Sequence, residues 1–444
     1  MTEPVDATAE GTVDAIVVGA RCAGSAAAVA LARAGRQVVV VDSATFPSDT
    51  LSTHLLFAGG VAELAAIGAL PRVHALGSPR LTVAEMTGAG ITVRARYTPV
   101  DGIDHGLCVR RTGLDAALID TARQAGAQVR EATKVTSLLW DRGRVVGVRT
   151  RDRGGGEREL RAPLVIGADG RRSTVARAVG AERPYRSNPN QRACLFAYWH
   201  DPDSAQRSVA AQWRAGSDLG TAFPCDDGLV MVLVMPPADR LRDSTPAAAY
   251  ADALDRLPGL RHRLRDCAQA TKVRSTRDTT SYFRRSTGPG WALPGDSGHF
   301  KDPVTAQGIR DALRYGRLLG EAAAPSLHDP AALDRALLRW ERRRERECLE
   351  VYQWTNGLAR AEVMSPLEVE FYRAAAADEN FARHALDVFA RTRRPGEVFT
   401  LRRNLRLASA ALRRARGRVH TLRAIAAELR RDVNARRERA AIGR

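Results

Sequence analysis

Apolar and polar positions change period several times along the chain, and each change marks an element. Asp14 to Val18 is a brief apolar run ending at Gly19, Gly24 to Gly35 is an alanine-rich stretch with helical spacing, and Gln37 to Val41 is a second β-branched run. Strand, turn, helix and strand in quick succession predict a parallel sheet with a right-handed crossover. Spacing from Leu55 to Leu70 is helical, and Leu81 to Tyr97 alternates as strands or a hairpin. A second helix is expected from Leu114 to Ala125, closed by Gly126. Val129 to Asp141 and Val145 to Thr150 read as a hairpin around Arg142-Gly143, and Leu164 to Gly167 as a buried strand. Between Ala193 and Met235 the separators Asp201-Pro202, Gly216 and Asp226-Asp227-Gly228 divide four expected strands of an antiparallel sheet. Helical segments such as Ala247 to Leu257 interrupt it before a strand returns at Ser281 to Arg285. After the Pro294-Gly295-Asp296 turn the pattern is helical to the C-terminus.

Length and composition bound the class. With 444 residues, 44% hydrophobic and 27% charged, the chain has material for two or three packed globular units. The formal charge of +18 is concentrated at one end, for residues 401–444 carry fourteen arginines against Glu428, Asp432 and Glu438, a surplus of eleven. No basic and aromatic interleaving accompanies it, which argues against a nucleic-acid partner. Within this tail Leu405, Ala408, Leu412, Ala415, Val419, Leu422, Ala426, Leu429 and Val433 form an amphipathic stripe that Gly417 is placed to split. The stripe fits a helix docked on its own chain, a homodimer paired through C-terminal helices, or an anionic membrane surface. Cys22, Cys108, Cys194, Cys225, Cys267 and Cys348 show no metal or disulfide spacing. Residues 1–14 lack the parts of a signal peptide, and no apolar run reaches transmembrane length. The expectation is a soluble, cytoplasmic protein without a bound metal.

Three glycine-punctuated motifs carry the chemistry. In the first, Gly19-Ala20-Arg21-Cys22-Ala23-Gly24 is a GxRxxG variant of the dinucleotide fingerprint, and Asp42 ends the second strand. Its glycines permit a tight turn, the helix N-terminus receives a pyrophosphate, and the carboxylate accepts from ribose hydroxyls. Arg21 departs from the pattern by replacing the middle glycine. The second motif is Gly167-Ala168-Asp169-Gly170, followed by Arg171, Arg172, Ser173, Val175 and Arg177. The third is Gly295-Asp296-Ser297-Gly298-His299, with Asp302-Pro303-Val304 and then Gln307-Gly308-Ile309 opening a helix. Each alone is a common kind of turn.

In this order and spacing the three resemble the flavin monooxygenase superfamily related to p-hydroxybenzoate hydroxylase, over roughly Asp14 to Arg360. Within it the chain also resembles geranylgeranyl reductases and flavin-dependent halogenases. The resemblance implies an α/β fold with a Rossmann-like FAD-binding domain (1–75, 100–182 and 285–360). It further implies an inserted antiparallel substrate domain (76–99 and 183–284) and a helical C-terminal region (361–444). It places FAD pyrophosphate at Gly19 to Gly24, the adenosine ribose at Asp42, and adenine near the backbone of Val135. Arg111, or alternatively Arg110, would contact FAD. Asp169 and Gly170 would stand near the ribityl and nicotinamide region, and Asp296 would bind the ribityl chain or pyrophosphate. Gln307, Gly308 and Ile309 would bring amides to the isoalloxazine. The activity implied is a monooxygenase that draws electrons from NAD(P)H bound transiently and uses O2, through a flavin hydroperoxide, to oxygenate a small organic substrate in secondary metabolism.

Departures from the relatives narrow this. Gly88-Ala89-Gly90 is followed by no helix, so it is not a second nucleotide fingerprint. None of the six tryptophans sits in the WxWxIP motif of halogenases. The loop Pro47 to His54 has no cysteine where geranylgeranyl reductases carry one, which leaves a reductase or dehydrogenase of an unsaturated, isoprenoid-like substrate as the second expectation. His54 and His299 are the candidate proton carriers, although His54 equally fits a cap or packing residue of the following helix. Lys301 fits a surface pair with Asp302 or a charge at the flavin edge. Tyr198, Trp199 and Trp213 fit either a substrate cavity or the core.

Overall fold

The computed structural model describes residues 8–442. At its centre is a six-stranded sheet in the order Thr287–Gly288, Trp291–Ala292, Leu164–Gly167, Ala15–Val18, Val38–Val41, Gln128–Arg130, parallel throughout except for the first pair. Its strands are apolar on both faces because both are covered. Ala15, Val17, Val38 and Val40 face a helical layer that includes Cys22–Arg33, Arg111–Gln124 and Gly308–Ala323. The alternate residues Ile16, Val18, Val39 and Val41 face a second sheet, in the order Thr8–Thr12, Glu157–Arg161, Arg144–Arg151, Lys134–Asp141.

The expected strand from Val129 to Asp141 is therefore two. Gln128–Arg130 ends the parallel sheet and Lys134–Asp141 enters the other, with Ala132 between them at φ +53°. No glycine or proline marks this crossing, where Glu131-Ala132-Thr133 separates the two strands, and the left-handed residue is an alanine. The helix expected from Leu55 to Leu70 also breaks up, into the strand Leu55–Leu56 and the helices Ala58–Ala66 and Leu70–His74.

A separate large sheet joins Val83–Gly88 and Ile91–Arg96 to the four strands Cys194–His200, Val209–Ala215, Asp218–Pro224 and Leu229–Val234. One face, carrying Phe196, Tyr198, Met231 and Leu233, packs toward Val304 and Ala306 of the third motif. The other, carrying Leu195, Ala197, Trp199 and Val232, is covered by Pro246–Asp255 and Pro258–Arg263. Trp199 belongs to this second core, where its indole donates to Tyr250 Oη at 3.0 Å, and Trp213 packs on its margin. Tyr198, one residue away, points to the opposite face.

The C-terminal part is helical apart from the short strand His299–Phe300. Pro330–Leu358 leads to Pro366–Ala377, Glu379–Ala390, Leu401–Arg414 and Arg418–Ile442. The tail stripe is thus divided between two helices, with the break at residues 415–417. No helix among the described residues is long and apolar enough to cross a membrane.

Candidate functional site: a dinucleotide cleft

The three motifs meet at the C-terminal ends of the central strands, where open α/β sheets bind ligands. Gly19 turns at φ +100°, and a Cβ there would lie 2.5 Å from Ala168 O. At Gly24 a Cβ would lie 1.8 Å from Gly19 O, so the helix start is pressed onto the strand end. The second motif is tied to the first by the Ala168 amide, which donates to Val18 O at 2.7 Å. The third is tied to the second by Ser297, whose hydroxyl lies 2.5 Å from Gly167 O and 2.6 Å from Pro294 O and shares its one proton between them. A Cβ at Gly295 would stand 2.9 Å from Ala23 Cβ, which brings the third motif against the first helix. Turns nearly 300 residues apart thereby form one wall.

Asp42 accepts from the Ala20 amide at 2.8 Å through one oxygen and from the Ala44 amide at 2.8 Å through the other. Strand-end bonds from the Asp42 amide to Arg130 O (3.0 Å) and from the Thr133 amide to Asp42 O (2.8 Å) bring the backbone leading to Val135 alongside it. Val135 itself is buried between the two sheets.

Arg21 swings outward. Its guanidinium pairs with Asp115, donates to Ser48 Oγ at 2.9 Å and lies over the Phe46 ring. Arg111 binds the same Asp115 through both nitrogens at 2.8 to 3.1 Å, and Cys22 Sγ reaches Asp115 at 3.6 Å. A wholly buried carboxylate thus orients two guanidinium groups beside the helix N-terminus, a suitable setting for a pyrophosphate. Burial pushes the Cys22 thiol up to about 12. Arg110 is turned away to Asp226, 2.7 Å, and Asp227, whereas Arg111 stays on Asp115 beside the first helix.

Asp296 is half-buried, and its carboxylate has no hydrogen-bond partner among the described residues. Burial raises it to about 6 against the pull of Arg171, Arg111 and Lys301. Asp169 is committed locally, accepting from the Thr174 amide at 2.6 Å and from Oγ of Ser173, the N-cap of the helix Thr174–Ala178, at 2.5 Å. Gly170 follows at φ +77° and turns the chain away. At the third motif Ala306 is left-handed, the Gln307 side chain donates to Thr305 O and Phe389 O at 2.9 Å, and Gly308 begins its helix with no atom within 4 Å of a hypothetical Cβ. Open space therefore lies beside the first turn of this helix. Paired arginines, an unpartnered carboxylate and two helix N-termini around one cleft fit an extended dinucleotide cofactor.

His54 and Tyr198 form a pair that spans the two units. Ser52 O can only accept, so His54 Nδ1 carries the proton in their 2.8 Å bond, and Nε2 accepts from Tyr198 Oη at 2.7 Å. His54 does not cap the following helix; it sits at φ +60° with its ring edge-on to Phe196 and Tyr198. Burial, with the Arg111 charge adding to it, pushes the imidazole down to about 3, and burial raises the phenol above its usual range.

His299 lies in a different setting. Lys301 donates to its Nε2 at 2.9 Å and pairs with Asp311, not Asp302, and both residues are buried. Burial and the Lys301 charge hold His299 well below its ordinary value. Asp311 stays well below the usual carboxylate range despite burial, because Lys301, Arg391 and Arg310 surround it. His299, Asp311 and Cys348 lie close enough together to hold a metal ion, but the Lys301 ammonium already supplies the cation.

Asp302 is fully buried, accepts from the Val304 amide at 2.9 Å, and is raised by burial to about 6. Asp296 and Asp302 return to ordinary carboxylate values near 3.8 on unfolding, so folding takes up protons between about pH 4 and 6, and their contribution to stability falls as pH rises through that window. Asp302→Asn removes one such group. Its urea midpoint should therefore gain on the parent's between pH 4 and 7, by up to about 2–3 kcal/mol in stability.

A cavity of about 680 Å³ opens beyond Val304, lined by Met86, Leu219, Trp354 and Phe389, by charged residues that include Arg214, Glu350 and Glu368, and by Leu429 of the last helix. Leu219 and Val304 belong to the same apolar cluster as Tyr198.

Fold and cleft together define an FAD-binding oxidoreductase. The chain belongs to the FAD binding domain family, which matches residues 12–355. It is 31% identical over 327 residues to a menaquinone reductase of Mycolicibacterium smegmatis, covering 69% of this chain and 75% of that one. It is 26% identical to digeranylgeranylglycerophospholipid reductase 2 of Methanococcoides burtonii, covering 71% and 75%. Among solved structures, a flavoprotein/dehydrogenase from Cytophaga hutchinsonii superposes with a TM-score of 0.74 at 20% identity, covering 86% of this chain and 93% of that one. The myxobacterial chondrochloren halogenase superposes at 0.70 with 23% identity, covering 86% and 90%, a likeness of fold.

Proposed function

We propose that the protein is an FAD-dependent reductase that saturates a carbon–carbon double bond in an apolar, isoprenoid-like substrate, with NAD(P)H as the source of electrons. The observation that carries this reading is the large cavity that begins at Val304, beside the turn that would hold the flavin ring, where Met86, Leu219, Trp354 and Phe389 offer apolar surface among arginines and carboxylates. The names of the two relatives above support the same substrate class.

Bound reduced FAD would supply the hydride. Arg111 and Arg21, fixed by Asp115, would hold the pyrophosphate, and Asp42 the ribose. The amides of Gly308 and Ile309 would stabilise negative charge on the ring. Tyr198 would deliver the proton that the second carbon requires. Its raised phenol keeps that proton at neutral pH; the O–H, which His54 Nε2 accepts in the resting site, would turn from His54 to the substrate carbon as the proton is transferred. The apolar cluster around the pair excludes water. Tyr198→Phe should lower kcat by about 10²-fold, the lower end of general-acid contributions. Flavin content, read from the visible spectrum, should not change, since Tyr198 makes no bond to the three motifs.

Oxygenation by a monooxygenase is the second reading, favoured by the Pro47–His54 loop, which lacks a cysteine. Turnover under labelled O2 separates the two. A product that gains two hydrogens and no label supports reduction, and a labelled oxygen atom in the product overturns it.

A further inference from the structure

The C-terminal helices present an outward face that nothing among the described residues covers. Leu401–Arg414 and Arg418–Ile442 turn Leu407, Ala408, Ala411 and Ile425 inward to one cluster with Leu367. Leu401, Leu405, Val419, Leu422 and Val433 point outward and are 41 to 65% exposed. At 100° per residue, Leu422, Val433, Ala426 and Val419 form a single row along the last helix. Arg423, Arg430 and Arg437, each seven residues after the one before, flank that row. On the preceding helix Arg402, Arg406 and Arg413 stand beside Leu401 and Leu405 in the same way.

The acids of the tail lie elsewhere. Glu438 is bound inward by Arg186 and Gln353, Asp432 pairs with Arg436, and Glu428 borders the cavity. Arg402, Arg406, Arg416, Arg418, Arg423 and Arg437 have no acidic partner among the described residues. The exposed face therefore combines aliphatic side chains with unneutralised arginines.

We propose that this face docks on an anionic lipid surface. Arginines would bind headgroup phosphates while the leucines and valines enter the headgroup–acyl boundary, so both components of the face find a partner. A second copy of the chain would set one tail, with its surplus of eleven positive charges, against another of the same charge. The helix that forms this face also lines the cavity, through Leu429, Asp432 and Arg436. Lipid docking is independent of the reaction at the flavin and is tested without turnover.

The test is flotation of the full-length, flavin-loaded protein with vesicles of mixed phosphatidylglycerol and phosphatidylcholine, and with phosphatidylcholine alone. Binding is expected on the anionic vesicles only, with release at high salt. The triple variant Arg423→Gln, Arg430→Gln, Arg437→Gln should bind about a hundredfold more weakly. Leu422→Ser with Val433→Ser should also weaken binding while all charges remain, and both variants should keep the parental flavin spectrum. Failure to float on anionic vesicles overturns the proposal. So does a dimer at micromolar concentration that Leu422→Ser dissociates, because the face would then be covered by a second subunit.

Discussion

Gly24→Ala is expected to purify with only a small fraction of the parent's FAD. The added carbon would lie 1.8 Å from Gly19 O, a backbone atom with no rotamer to relieve the contact. The helix Cys22–Arg33 must then move off the strand end, and its first-turn amides leave the position that a pyrophosphate would occupy. Overpacking of well-fitted sites costs about 1–3 kcal/mol even where side chains can adjust. The upper end applies between rigid backbones and corresponds to FAD affinity on the order of 100-fold weaker. Absorbance near the flavin maxima, measured against protein concentration, checks it.

Asp115→Ala should have the largest effect on stability. The carboxylate is wholly buried and neutralises Arg111, itself buried, together with Arg21. Removing one partner of a buried ion pair leaves an uncompensated charge and costs about 3–5 kcal/mol, far more than the intact pair contributes over an apolar replacement. A fall in Tm of about 3–5 °C follows for a protein of this size. Both arginines lose their orientation together, so FAD retention should fall as well. Asp115→Asn keeps the shape and two acceptor positions at most, and its thermal unfolding should lie between parent and alanine variant.

Much of the architecture was legible because the residues that build it act locally. Asp14 to Gly24 read correctly as strand, turn and helix because apolar period and glycine placement both operate within a few residues. The four strands between Ala193 and Met235 were legible for the same reason, through their turn residues. Misreadings occurred where the deciding contact is distant in sequence. Lys301 looks like the partner of Asp302 beside it, but the carboxylate it meets is Asp311, one helical turn into the next element. The strand break at Ala132 carries no glycine or proline, and the two strands it separates pair with different sheets.

The site divides in the same manner. Arg21 departs visibly from the fingerprint, but that it shares Asp115 with Arg111 depends on packing between two helices. A faint signal existed, since Arg111 and Asp115 are four apart on an expected helix, the spacing of a paired face. The partnership of His54 with Tyr198, across 144 residues, left none. Nor did Arg391, which comes from the C-terminal helices to join Asp311 and has no regular spacing from it.

The central claim is that three turns, at Gly19, Gly167 and Gly295, converge to hold one flavin dinucleotide. The most direct measurement is the visible spectrum of the purified protein together with mass analysis of whatever heat releases from it. One FAD per chain, bleached on reduction, is the predicted result. A colourless protein that also fails to take up added FAD would contradict the account.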